Sequence, residues 1–151
     1  MRIVRRRDDD GAAAVEFALV LVPLLVIIFG LIQYGLYFYS AQTGSSTANA
    51  AVRQLSVGNC QAVGALQTYV DKQLGAAATG NATITQAWTR ADGTPAIGPT
   101  DSGVVGGTVE LTLSFPTINM HFPLVPFLSN SKVTRDVQAR VEDTADQGCG
   151  S

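Results

Sequence analysis

Few residues in this chain of 151 are placed to do chemistry, and the first of them is Glu16. Its carboxylate stands about one helical turn inside AAAVEFALVLVPLLVIIFGLIQYGLYFYSA, residues 12–41, where it is the only charge. An acid near the centre of a membrane helix costs roughly 2.5 to 3.5 kcal/mol and less near the edge, so it calls for a partner. A carboxylate that reaches the headgroups, or one that is protonated, meets the same cost without one. Gly11 and Ala12 follow the charged run RRRDDD, and such a pair of small residues admits a protease. Cys60 and Cys149 leave three states open: one disulfide, two free thiols, or a bond between chains. His121, the only histidine, lies between Met120 and Phe122 and reads as a packed or surface imidazole rather than a general base. No CxxC, HExxH, P-loop or GxSxG spacing occurs, so neither catalysis nor a metal nor another cofactor is expected. Asp71, Asp92, Asp101, Glu142, Asp143 and Asp146 fall in turns, on a helix surface or in the tail, where solvation accounts for them.

The composition divides the chain into unlike parts. Overall it is 46% hydrophobic and 15% charged, with a mean hydropathy of +0.21. Residues 1–11 carry four Arg and three Asp, whereas residues 42–151 carry six Lys or Arg and eight Asp or Glu. No basic face large enough for nucleic acid is present. From Phe17 to Ala41 there is no charge at all, and that run exceeds the roughly 20 residues that cross a bilayer core of about 30 Å as a helix. It is also about twice the apolar core of a secretory signal, so it reads as a retained anchor. Arg2, Arg5, Arg6 and Arg7 directly before it keep the N-terminus on the cytoplasmic side and put Gln42 onward outside. Tyr34, Tyr37, Phe38 and Tyr39 suit the far interface, and Pro23 removes one backbone donor from the helix. Outside the membrane, an oxidising setting makes a Cys60–Cys149 disulfide the leading expectation of the three.

RRRDDDG followed by AAAVEF and a long apolar helix resembles the class III signal of type IV pilins and pseudopilins. In that pattern a charged leader ends in Gly, the prepilin peptidase cuts after it, and a Glu stands fifth in the mature chain. A cut between Gly11 and Ala12 makes Glu16 fifth. The run GAAAVEFAL with a following proline is similar to the TadE-like family, minor pseudopilins of the tight-adherence (Flp) pilus. Over residues 5 to 40 the resemblance implies assembly through Glu16 and Phe17. It gives Glu16 a partner, the α-amino group of Ala12 on a neighbouring subunit. It also implies other partners: the membrane, the prepilin peptidase, further pilin or pseudopilin subunits and the inner-membrane pilus platform. Neither nucleic acid nor a small-molecule substrate is among them. Asp8, Asp9 and Asp10 depart from the mostly basic leaders of the family.

Three segments are therefore expected: a leader at 1–11 that is removed, a transmembrane helix at 12–41, and an extracytoplasmic domain at 42–151. Ala41, Gly44, Ala48, Ala51, Val52 and Leu55 recur at helical steps, so the first helix continues to about Ser56 and stops at Gly58 and Asn59. A second helix is expected from about Gln61 to Leu74, with Gly75 ending it. The period then changes to two at Ala82–Thr89, at Thr108–Phe115 and at Lys132–Glu142. Arg90–Gly107, rich in Gly and Pro, reads as a long exposed loop. The fold class is α+β and pilin-like, with about three antiparallel strands on two helices. Residues 118–128, INMHFPLVPFL, are either tucked under the sheet or an exposed docking patch. Two functions fit: a pilus assembly component of bacterial cytoplasmic membranes, single-pass with its N-terminus inside, or an uncleaved signal-anchored surface protein whose outer domain binds an envelope partner. A membrane-tethered hydrolase would need a convergent polar cluster that the sequence lacks.

Overall fold

A computed structural model describes residues 8–120 and 132–145. The leader residues Arg2, Arg5, Arg6 and Arg7, His121 with the rest of the 121–131 segment, Asp146 and Cys149 lie outside them. The dominant element is α1, Asp8–Ser56, a single helix of 49 residues and therefore about 73 Å long. It runs through Pro23, whose missing N–H leaves the Leu19 carbonyl without its usual helical donor. α1 ends as Gly58 and Asn59 foretell. The Gly58 N–H donates to the Leu55 carbonyl at 3.2 Å and the Asn59 N–H to the Gln54 carbonyl at 2.9 Å. With Gly58 at φ 83° this is a Schellman cap, which satisfies the last carbonyls of the helix.

α2 spans Val63–Leu74 and is followed by a single 3₁₀ turn at Gly75–Ala77. Four strands follow: β1 Thr83–Thr89, β2 Pro95–Ala96, β3 Thr108–Pro116 and β4 Lys132–Arg140. They form one antiparallel sheet in the order β2-β1-β3-β4. The fold is thus α+β as expected. The added strand, β2, is two residues long and folds back from the 90–107 loop onto Trp88 and Thr89. Its shortness and its proline kept it below any period-two signal.

The core explains the sequence periods. Ala48, Ala51, Val52 and Leu55 of α1 and Leu66, Val70 and Leu74 of α2 are buried together with Val109, Leu111, Leu113 and Phe115 of β3 and Val133 beside them. The other sheet face is polar: the Thr112 hydroxyl donates to Asp136 at 2.7 Å, and Ser114 and Thr134 meet at 3.1 Å. One charged side chain stands on the inner face, where Arg135 Nε donates to Ser45 Oγ of α1 at 2.7 Å.

Candidate functional site

The burial of α1 changes along its length, and that change defines the site. From Gly11 to Ile32 nearly every residue is exposed, including Val15, Phe17, Leu19, Val20 and Ile27. From Gln33 a buried stripe begins, continuing through Ser40, Gly44, Ala48, Ala51 and Leu55 at steps of three or four or their sum. The first half of α1 is exposed, whereas the second half is the spine of the outer domain. Among the described residues α1 is the one helix long and apolar enough to cross a membrane.

Each expected site residue on this half stands free for an outside partner. Around Gly11 a Cβ would meet no atom within 4 Å, so the Gly11–Ala12 bond is sterically open. Glu16 is exposed and has neither a hydrogen bond nor an ion pair among the described residues. Phe17 beside it is 67% exposed. Nothing among the described residues therefore neutralises the Glu16 carboxylate.

Gln33 was missed by sequence reasoning. It is 2% exposed, although it follows the most apolar run of the chain. Its Nε2 donates to the Ile118 carbonyl and its Oε1 accepts from the Met120 N–H, both at 3.0 Å. Two turns on, the Ser40 hydroxyl, also buried, donates to the Ala77 carbonyl at 2.7 Å. The signal was present in the sequence as an amide interrupting an otherwise apolar stretch, but its partners lie some 85 positions away.

At the far end of the domain, the C-terminal segment closes over the α1 cap. The Glu142 N–H donates to the Ser56 carbonyl at 2.7 Å, and Gln61 Nε2 donates to the Thr144 carbonyl at 2.9 Å. Cys60, 1% exposed and at φ 58°, lies between these contacts in sequence.

Four of the six acids read as merely solvated, Asp71, Asp92, Asp101 and Asp143, hold backbone instead. Asp71 accepts from the Ala82 N–H at 3.1 Å and from Gln67 at 2.9 Å, tying α2 to the start of β1. Asp143 accepts from the N–H groups of Thr144 and Ala145. In the 90–107 loop, Asp101 pairs with Arg90 at 2.5 Å and accepts from the Ile97 N–H at 3.1 Å. That backbone bond, with the Arg90 charge, holds the Asp101 carboxyl below its ordinary range. Asp92 is lowered mainly by the Thr94 hydroxyl and N–H that it accepts. Arg90 also donates to Thr94, the Pro95 carbonyl and the Ser102 carbonyl, so its guanidinium is committed to the loop. A surface depression of about 360 Å³ beside β1, lined among others by Gln61, Ile84, Gln86 and Trp88, has no titratable group. No group of three His, Cys, Asp or Glu able to hold a metal occurs among the described residues.

A small antiparallel sheet built on the second half of one very long helix, whose first half is apolar and exposed, defines an α+β protein with one potential membrane span among the described residues. Residues 11–53 match the family model described as TadE-like protein. The matched stretch begins at Gly11 and ends at Arg53, three residues short of the end of α1. The match and the apolar helix together fit a membrane protein associated with the tight-adherence pilus. No curated protein and no solved structure matches the chain.

Proposed function

We propose that the chain is a minor pseudopilin of a tight-adherence pilus, held in the bacterial cytoplasmic membrane with its N-terminus inside and incorporated through α1 after the prepilin peptidase cuts between Gly11 and Ala12. The observation that carries the reading is Glu16: an exposed carboxylate five residues after Gly11, on an apolar helix face, with no partner among the described residues of its own chain. The cut creates an ammonium at Ala12. Paired between subunits in low dielectric, that ammonium and Glu16 attract strongly, and each alone is costly to bury. Pairing therefore selects subunits that are both processed and correctly staggered. Ala12–Ile32, 21 residues and about 31 Å of helix, matches the bilayer core and ends where the outer domain grips Gln33. Arg2, Arg5, Arg6 and Arg7 hold the orientation. In this role the chain is a structural component that works by subunit contact rather than by turnover.

A Cys60–Cys149 disulfide belongs to the same reading. The segment 142–145 is docked on the end of α1, four residues before Cys149. A bond there would pin the tail to the cap.

The deciding experiment is the intact mass of the chain from cells with and without the prepilin peptidase. Loss of residues 1–11 only when the peptidase is present supports the pseudopilin. An unprocessed chain in both cells overturns it in favour of an uncleaved, signal-anchored surface protein.

A further inference from the structure

We propose that the outer domain sits directly on the bilayer, that its lipid-facing edge is Ile118–Met120, and that Gln33 is the positioning residue that sets this height. The inference rests on the reading of α1 as a membrane span ending near Gln33. Its own basis is how the lower end of the domain is built.

Backbone beyond β3 loses its ladder partners at Pro116, and in a water-poor setting such groups must be satisfied internally. Here they are. Thr79 N–H donates to the Pro116 carbonyl at 3.0 Å, while Gln33 satisfies the Ile118 carbonyl and the Met120 N–H. An amide side chain 2% exposed, spent on two main-chain groups, is what an irregular segment needs where water is scarce. Met120, by contrast, is 48% exposed, level with a stretch of α1 whose outer face is apolar and exposed from Leu31 and Ile32 through Tyr34 to Phe38 and Tyr39.

Charge points to the same partner. The described segments that build this end come from three stretches of sequence, 17–52, 73–89 and 111–120, and none contains an Asp, Glu, Lys or Arg. Lys132 stands opposite Pro116 in the β3–β4 register and is exposed. An apolar edge rimmed by a cation suits the acyl–headgroup boundary of a phospholipid surface, the arrangement by which amphipathic elements lie in an interface.

The test places an environment-sensitive fluorescent amino acid singly at positions 24, 97 and 120 of the full chain, reconstituted in phosphatidylethanolamine–phosphatidylglycerol vesicles. Quenching by brominated lipid is compared with quenching by iodide. Position 24 reports the span, and position 97, where Ile97 is 98% exposed, reports the solvated domain. Lipid quenching by about half or more at 120, as for a group seated 5–10 Å into the boundary, supports the proposal. Quenching at 120 by iodide alone, or by neither agent as when protein covers it, overturns the proposal while 24 still reports the span. Loss of lipid quenching at 24 overturns the span reading itself, and this inference with it. Gln33→Leu, which removes both hydrogen bonds, is expected to lower lipid quenching at 120 and leave 24 unchanged; unchanged quenching at 120 removes Gln33 from the role.

Discussion

Gly44 of α1 faces the ring of Phe115 on β3 so closely that a Cβ at position 44 would stand 2.6 Å from Cε1 and 2.7 Å from Cζ. Phe115 is fully buried, so its ring has nowhere to retreat. The glycine is thus the notch that lets the helix approach the sheet. Gly44→Ala is expected to destabilise the outer domain by about 1 to 3 kcal/mol through overpacking. Gly64 in α2, where a Cβ would meet nothing within 4 Å, is the control. Gly64→Ala should leave stability unchanged or raise it by up to about 1 kcal/mol through helix propensity. Thermal unfolding of the two variants reads the contrast, and equal melting temperatures would refute the notch.

Much of this packing was legible in the sequence, for a physical reason. The stripe Ala41–Gly44–Ala48–Ala51–Val52–Leu55 and the alternation Val109–Leu111–Leu113–Phe115 are local periods that a buried face imposes directly, and both sets are buried. The expected end of α1 at Ser56, with Gly58 and Asn59 beyond it, matches the helix and its cap. What escaped were pairings between distant polar residues. Gln33 with 118–120, Arg135 with Ser45 and Asp71 with Ala82 join positions 11 to 90 residues apart, and no period marks them. β2 escaped because two residues form no pattern. In the site, Glu16 was legible because a lone charge in an apolar run is conspicuous without any structure.

The tail contacts at the α1 cap yield a redox prediction. Thiol titration of the denatured, unreduced chain should find no free thiol, and two after reduction. Closing a loop of about 90 residues contributes roughly 4 to 5 kcal/mol before strain. Cys60→Ser should therefore lower the denaturation midpoint of the outer domain markedly under oxidising conditions and little in the presence of reductant. Two free thiols in the unreduced chain would refute the bond.

The 90–107 loop should loosen in acid. Asp92 and Asp101 both have carboxyls held below their ordinary values by the donors they accept. Groups depressed in this way contribute order that is present above the unfolded carboxylate value, near 3.9, and is lost as pH falls through the lower folded value. Exchange of the Thr94 and Ile97 amides, which donate to Asp92 and Asp101, should be protected near neutrality. As pH falls below the ordinary carboxylate range that protection should fall relative to core amides of β3, after correction for intrinsic rates. Asp101→Asn should reproduce the Ile97 loss at neutral pH. Protection that is flat with pH would mean the loop is held by backbone turns alone.

Glu16 gives the prediction that bears most on function, because its two roles can be separated. Glu16→Gln removes the charge but keeps size and hydrogen-bonding capacity, so insertion of α1 should be unchanged or favoured. The Gly11–Ala12 bond is five residues away and sterically open, and cutting should continue. What should be lost is the attraction to the Ala12 ammonium of a neighbour. The variant is then expected to accumulate in the membrane as a processed chain and to be depleted about tenfold or more from sheared pili, the effect of losing one buried ionic partner. Glu16→Asp, which keeps the charge but shortens its reach, should recover part of that incorporation. Membrane fractions, intact mass and sheared-pilus fractions from one culture read all three steps. Normal incorporation of the processed Gln variant would remove Glu16 from assembly.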